Sequence, residues 1–172
     1  MYKRQQEYEY MGIKVGLGEV TNKIPAKDLQ DKGVLANCHV NVLQTNDVLE
    51  FRSYAEELKW LTTDSKRMSW VAQTISDIAT SGNTLILVDR ISAGEILEKK
   101  IKDSVFIRGA TKNMERKEHY DEVSTAQTKV IIATYGVAAV GINIPRIFNL
   151  VLIEPGKSFV RVIQSIGRGI RK

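Results

Sequence analysis

Three polar side chains near the end of the chain have the types and spacing to contact a phosphate. Gln164, Arg168 and Arg171 stand at positions i, i+4 and i+7 of a predicted helix, so they share one face. The other side of this helix carries the apolar residues Phe159, Val162, Ile163, Ile166 and Ile170. Guanidinium groups suit a transferring phosphoryl group because they donate paired hydrogen bonds to its spread charge. A solvated basic face near a chain end is an equally good interpretation of these residues alone.

A phosphate loop is not part of this pattern. The segment 155–158 reads Pro-Gly-Lys-Ser and lies between a predicted strand and a predicted helix, as the end of such a loop would. The glycine that should open the loop is replaced by Val151, inside the strand. The sequence offers no other candidate, so we do not expect the chain to bind and hydrolyse a nucleotide by this route unaided.

The second half of the chain alternates between two kinds of segment. Short apolar runs predict buried parallel strands at 84–88, 104–107, 130–133 and 150–153. Helical segments are predicted between and after them, at 92–101, 113–126, 135–140 and 158–167. Strand and helix taking turns predicts a doubly wound α/β domain, a parallel sheet with helices on both faces.

The loops that follow the strands are where such a sheet binds ligands. Arg90 and Lys112 lie in two of these loops and are candidates for phosphate contacts, although each could be an ordinary surface charge. Thr134 ends the third strand and could contact a phosphate through its hydroxyl or close the strand without a ligand. Trp60 and Trp70 could stack on bases, but helical periodicity favours packing in the core or at an interface.

The first part of the chain is less regular. Residues 1–19 are polar, with glycines at three positions, and indicate an irregular arm. Helices are predicted at 27–32 and at 49–61, and a third begins at residue 67 and ends at Gly82. A strand is predicted at 34–43. We therefore predict an arm or linker over 1–48 and one domain over 49–172.

Length and composition exclude several classes of protein. A chain of 172 residues with 43% apolar residues fits one soluble domain, and no apolar run approaches the roughly 20 residues of a membrane span. We expect an intracellular, cytoplasmic location because no signal peptide is recognisable. The single cysteine, Cys38, cannot form an internal disulfide, and His39 and His119 lack the neighbours of a metal site. The net charge of +5 is a weak indication of a polyanionic partner.

The candidate residues fall into motifs of a known family. Residues 164–171 read Gln-Ser-Ile-Gly-Arg-Gly-Ile-Arg, which resembles the QxxGRxxR motif, the sixth of the superfamily 2 helicases. Ile-Ile-Ala-Thr at 131–134, followed by Gly-Ile-Asn-Ile-Pro at 141–145, is similar to their fifth motif. Residues 84–90 resemble the fourth. The combination looks closest to phage helicases of the UvsW type, which remodel branched DNA.

The resemblance implies a RecA-like helicase C-terminal domain and a role for each matching residue. Arg171 would be an arginine finger and Arg168 its companion on the γ-phosphate of ATP, with Gln164 orienting both. Gly141 and Asn143 would face the ribose, although Asn143 stands where aspartate is commoner, which puts in doubt any part in ordering a water or metal. The other ATP-site and nucleic-acid candidates are Gly167, which would allow close backbone approach, Thr134, Arg90 and Lys112.

The family also implies partners that this chain lacks. ATP would bind between two RecA-like domains, and Mg²⁺ would be held mainly by the N-terminal motor domain, in the same or another chain. The implied polymer is DNA, with RNA not excluded, and no membrane is implied. Three alternatives remain: a non-catalytic RecA-like module that binds nucleic acid or a partner ATPase, the translocating part of a restriction system, and an unrelated small α/β protein.

Overall fold

The computed structural model describes residues 10–12, 14–18, 21–111, 113–139, 146–154 and 156. The chain divides into two compact units, Met1–Ala36 and Asn37–Lys172. Among the described residues, no helix is long and apolar enough to cross a membrane.

The first unit is partly helical and has no buried residue in its described part. Residues 10–12 and 14–17 are helical, so the irregular arm predicted over 1–19 is wrong in this stretch. Isolated glycines such as Gly16 cost a helix only about 1 kcal/mol each, which does not forbid it. Helix α1, Ala26–Asp31, confirms the helix predicted at 27–32. It ends before Gly33, whose φ of 69° is the left-handed conformation that favours glycine.

The strand predicted at 34–43 is wrong. Residues 36–50 contain no helix or strand, and side chains expected on a buried face are exposed, with Val40 at 67% and Val42 at 84%. An alternating pattern of apolar and polar residues indicates only which side chains would share a face if the segment were a strand. The backbone hydrogen bonds of a strand must come from a neighbour, and no described strand pairs with this segment.

Two helices precede the sheet, α2 (Tyr54–Thr63) and α3 (Ser65–Ala79). Each begins at a polar cap: Ser53 Oγ accepts a hydrogen bond from the Glu56 backbone N–H at 3.3 Å, and Asp64 Oδ1 accepts one from the Arg67 backbone N–H at 2.8 Å. The helix predicted from residue 67 onward is confirmed as α3, which begins two residues earlier, at Ser65. Its buried residues are Met68, Val71, Ala72, Ile75 and Ala79.

The predicted sheet is confirmed at all four positions. Its strands are β1 (Thr84–Val88), β2 (Ser104–Ile107), β3 (Val130–Thr134) and β4 (Asn149–Leu152). All described pairings are parallel, and the order is β2-β3-β1-β4. The intervening helices are α4 (Ile91–Lys100), α5 (Asn113–Thr125) and α6 (Tyr135–Ala139).

Helices cover both faces of the sheet, as predicted. On one face, α3 and α4 pack against the side chains of Ile86, Val88 and Ile132. On the other face, Val123 of α5 and Tyr135 of α6 pack with the alternate strand residues, Leu85, Leu87, Ile107, Ile131 and Ala133. The side chains of β1 are all buried, as in a central strand with helices on both sides. The fold is the α/β, RecA-like class that the sequence indicated.

The amino edge of the sheet is closed by one buried amide. Asn83, 4% exposed, directs Nδ2 at the carbonyls of Val123, Ala126 and Arg146, at 3.1, 3.0 and 3.3 Å. Its Oδ1 accepts a hydrogen bond from the Lys129 backbone N–H at 2.8 Å. Asn83 thus joins the chain before β1, β3 and β4, which leaves the opposite, carboxyl edge for ligands.

Candidate nucleic-acid and nucleotide site

The carboxyl edge has a topological switch point between two central strands. From β1 the chain continues through α4 on one face of the sheet, and from the adjacent β3 it continues through α6 on the other face. The connections therefore diverge and leave a crevice between the strand ends, where open α/β sheets bind ligands. The register pairs Val88 with Thr134 across this crevice.

Thr134 lies at this crevice and is half-buried. Its Oγ1 accepts a hydrogen bond from the Val137 backbone N–H at 3.4 Å, so the hydroxyl caps the short helix α6. A threonine hydroxyl has one hydrogen to donate. Within the described residues Thr134 donates it to no acceptor, which leaves it available to a ligand oxygen.

Arg90 lies on the other side of the crevice, two residues after Val88. It precedes α4, and its exposed side chain forms no capping hydrogen bond. No ion pair joins Arg90 to a described residue, whereas Arg108, after β2, is paired with Glu95 at 2.7 Å. The structure therefore places Thr134 and Arg90 at neighbouring strand ends, and Arg90 has no acidic partner among the described residues.

The loop after β2 is shaped by an arginine that no sequence motif singled out. Arg116, on α5, donates from Nη2 to the carbonyls of Arg108 and Gly109, at 3.0 and 2.8 Å. Thr111 Oγ1 accepts a hydrogen bond from the Arg108 backbone N–H at 3.0 Å. Arg116 stands in a run of charged residues, which hides this role in the composition. Its spacing could have indicated it, because Arg116 lies one and two helical turns before Tyr120 and the buried Val123.

Arg116 also affects the ionisation of a neighbouring tyrosine. Burial raises the pKa of Tyr120 above its ordinary value of 10.0, and the positive charge of Arg116 opposes part of that rise. The Tyr120 hydroxyl and Arg116 Nε are buried without hydrogen-bond partners among the described residues. Buried polar atoms on this face of α5 therefore have fewer hydrogen-bond partners than the Asn83 amide at the amino edge of the sheet.

A cavity of about 570 Å³ opens beside the same loop. Its walls include the carboxyl groups of Glu95, Glu98 and Glu115 together with Lys99 and Arg108. Three carboxylates would repel a phosphate. We therefore place the nucleic-acid candidates at the crevice and not in this cavity.

The two tryptophans have different surroundings. Trp60 is half-buried, and its ring centroid lies 5.8 Å from that of Phe51 in a tilted arrangement, which fits the predicted packing role. Trp70 is 48% exposed on α3, away from the buried stripe of that helix. Trp70 therefore does not pack in the core of the described residues, and its packing at an interface stays a prediction.

All six predicted ATP-site residues lie outside the described residues. They are Gly141, Asn143, Gln164, Gly167, Arg168 and Arg171, and the nucleic-acid candidate Lys112 is also outside. Within the described ranges, no group of three histidine, cysteine or acidic side chains could hold a metal ion. The roles of all these residues stay predictions.

Comparison with known proteins agrees with this geometry. The helicase conserved C-terminal domain family matches residues 66–172, which include the β1–β4 sheet and the arginine-bearing segment, residues 164–171. The ATP-dependent DNA helicase UvsW of Enterobacteria phage T4 is 25% identical over 175 residues, which is 95% of this chain and 34% of UvsW. The crystal structure of T4 UvsW superimposes with a TM-score of 0.60 and 27% identity, over 68% of this chain and 25% of that one.

The extent of these matches decides what they support. This chain spans about a third of the length of the curated UvsW sequence, so the activity of a whole helicase does not transfer with the match. The family match covers well over half of this chain and includes every sequence motif described above. The chain belongs to the helicase conserved C-terminal domain family, as a UvsW-like, RecA-like domain of the superfamily 2 helicases.

Proposed function

We propose that this chain is the second motor domain of an ATP-dependent DNA helicase or translocase. The observation that carries the proposal is the pairing of Val88 with Thr134, because it brings Thr134 beside the strand end that precedes Arg90, an arginine with no ion pair to a described residue. A hydroxyl and a guanidinium at the ends of neighbouring β-strands could contact the phosphates of one nucleic-acid strand. Lys112 and the loop held by Arg116 would extend this contact along the edge.

The arginine-bearing segment would complete an ATP site with a phosphate-loop domain. Arg171 would act as the arginine finger and Arg168 would meet the γ-phosphate, because guanidinium groups neutralise charge that develops in phosphoryl transfer. Gln164 would orient the two arginines, and Gly167 would permit close backbone approach. Gly141 and Asn143 would lie at the ribose. Mg²⁺ would be held by acids of the phosphate-loop domain.

The work of the domain follows from this division of the site. ATP bound between the two domains would draw them together, and hydrolysis would release them, so that the nucleic acid gripped at the crevice advances. Contacts to phosphates carry no base information, so we expect little dependence on nucleotide sequence. UvsW of phage T4 is an ATP-dependent DNA helicase, which supports DNA as the polymer.

The decisive experiment measures DNA-stimulated ATP hydrolysis by this chain combined with the phosphate-loop half of the motor. Arg171→Ala should lower turnover by roughly three to five powers of ten, the range found for arginine fingers, while DNA binding persists. Arg52→Ala is the matched control, since Arg52 is exposed before α2, far along the chain from every motif. RNA in place of DNA tests the choice of polymer.

Unchanged turnover in Arg171→Ala would contradict the proposal. It would favour a non-catalytic RecA-like module that binds nucleic acid or a partner ATPase. The translocating part of a restriction system would give the same ATPase result as a helicase. Strand separation distinguishes the two, because a translocase moves along duplex DNA without releasing single strands.

A further inference from the structure

A tyrosine beside the proposed nucleic-acid crevice forms a hydrogen bond with the backbone directly after β4. Tyr135, the first residue of α6, follows Thr134 directly and is only 6% exposed. Its hydroxyl donates a hydrogen bond to the backbone carbonyl of Ile153 at 3.3 Å. This bond links the crevice between β1 and β3 to the last strand of the described sheet.

The next residue along, Glu154, is held from the opposite direction. Its Oε1 accepts a hydrogen bond from Arg67 Nη2 at 3.0 Å, and the two side chains are 25% and 13% exposed. Arg67 Nη1 donates to the carbonyl of Leu61, at the end of α2, at 3.0 Å. Arg67 Nε lies 3.7 Å from Asp47 Oδ2. A largely buried guanidinium therefore fixes Glu154 to two other parts of the unit.

The backbone at Glu154 is in a conformation that needs such support. Its φ of 44° is in the left-handed region, which non-glycine residues rarely adopt. Residues in sparsely populated conformations persist only when their surroundings hold them, at a cost of about 1–3 kcal/mol. The ion pair to Arg67 and the bond from Tyr135 to Ile153 supply that support at consecutive residues. In sequence, Gln164, Arg168 and Arg171 follow this point.

We propose that Tyr135 and Glu154 are positioning residues that couple the nucleic-acid crevice to the arginine-bearing segment. Nucleic acid bound at Thr134 displaces the start of α6, and the Tyr135 hydroxyl passes the displacement to the Ile153 carbonyl. The Glu154 ion pair holds the backbone at the carboxyl end of β4, and Gln164, Arg168 and Arg171 follow this point in sequence. The inference rests on the proposed function and names the contacts through which DNA would stimulate ATP hydrolysis.

The first test compares two tyrosine-to-phenylalanine variants in the chain combined with the phosphate-loop half of the motor. Tyr135→Phe keeps the buried ring but loses the hydrogen bond to Ile153. Tyr120→Phe makes the same chemical change at a hydroxyl that has no partner among the described residues. The readout is the ratio of turnover at saturating single-stranded DNA to turnover without DNA, which a loss of folded protein leaves unchanged.

We expect Tyr135→Phe to lower this ratio about tenfold, because a misplacement of about 1 Å can cost up to a hundredfold in rate. Tyr120→Phe should keep the ratio of the parent chain. The proposal is overturned if Tyr135→Phe keeps the parent ratio, or if Tyr120→Phe loses as much.

The second test uses Glu154→Gln, which removes the charge while keeping the size of the side chain. This variant should also lower the ratio, and Glu95→Gln, which breaks the exposed pair with Arg108, should not. Equal ratios in both variants would overturn the role of Glu154. Arg171→Ala separates this inference from the proposed function. If Arg171→Ala abolishes turnover while both ratios stay at the parent value, the coupling inference alone fails; if Arg171→Ala has no effect, the proposed function fails.

Discussion

At the scale of single residues, Gly94 shows how packing decides a choice that helix propensity would oppose. Gly94 lies within α4, where alanine would be favoured by about 1 kcal/mol. A Cβ at this position would lie 2.4 Å from Cζ of Phe106, whose ring is only 9% exposed and has little room to move. The ring of Phe106 therefore requires glycine in the facing turn of α4.

We predict that Gly94→Ala lowers the free energy of unfolding by about 1–3 kcal/mol, the usual cost of overpacking a core. Urea denaturation followed by circular dichroism measures this change. Gly136→Ala is the control, since a Cβ there meets no atom within 4 Å and the residue is also helical. Equal stability of Gly94→Ala and the parent would show that Phe106 can move aside.

Thr134 supports a second prediction, on binding. Thr134→Val keeps the shape of the side chain but removes the hydroxyl that would donate to a phosphate, so affinity for single-stranded DNA should fall about tenfold or more. Thr134→Ser should restore it, because serine can both cap α6 and donate. Fluorescence anisotropy of a labelled oligonucleotide measures the affinity, with Thr125→Val on α5 as control. Equal affinities of Thr134→Val and Thr125→Val would leave Thr134 a purely structural cap.

At the scale of elements, β2 is one of the two edge strands of the described sheet. Its outward-facing backbone N–H groups all have hydrogen-bond acceptors nearby in the chain. The backbone N–H groups of Ser104, Phe106 and Arg108 donate to the Ile101 carbonyl, Glu98 Oε1 and Thr111 Oγ1, at 3.4, 2.8 and 3.0 Å. An edge protected in this way offers no free donor row for pairing with another chain.

Glu98→Ala should therefore have two effects. The Phe106 N–H loses its acceptor, which should cost about 1–3 kcal/mol of stability if it stays buried, and the opened edge should increase self-association. Thermal unfolding and light scattering at rising protein concentration measure the two effects. Glu118→Ala, at an exposed position of α5, is the matched control. A Glu98→Ala protein as stable and as monodisperse as this control would contradict the protective role.

The sequence predicted these elements unequally, for physical reasons. The four strands were recognisable because buried parallel strands are continuous apolar runs, a signal that each strand carries in its own residues. The strand expected at 34–43 failed because pairing depends on a neighbour that local sequence does not specify. At the site, Thr134 and Arg90 were predictable from their places after strands. The Arg116 contacts and the Glu154 ion pair were not predictable. Arg116 reaches back to carbonyls eight and seven residues earlier, in an irregular loop, and the Glu154 ion pair joins residues 87 positions apart, so neither contact follows from a local sequence pattern.

At the scale of the whole molecule, charge and topology act together at the carboxyl edge. The net charge of +5 is too small to hold a polyanion by itself. The sheet order places Arg90 in the loop after β1, beside the end of β3, and no described acid pairs with it, while Arg67 and Arg108 are each paired with acids. Binding should therefore depend on a few placed contacts and not on the overall field of the protein.

If a few placed contacts bind the DNA, only substitutions at those contacts should change the salt dependence of binding. Each phosphate contact to a single strand releases counterions and adds about 0.7 to the steepness of log affinity against log salt. Arg90→Ala should reduce the slope by about that amount, whereas Arg52→Ala removes the same charge from an exposed position before α2, outside the loops that follow the strands, and should leave the slope unchanged. Anisotropy titrations across a salt series measure both slopes, with oligonucleotides of different base sequence giving the same values. Equal slopes for the two variants would make Arg90 an ordinary surface charge and would leave nucleic-acid binding at this edge to Thr134, Lys112 and the loop held by Arg116.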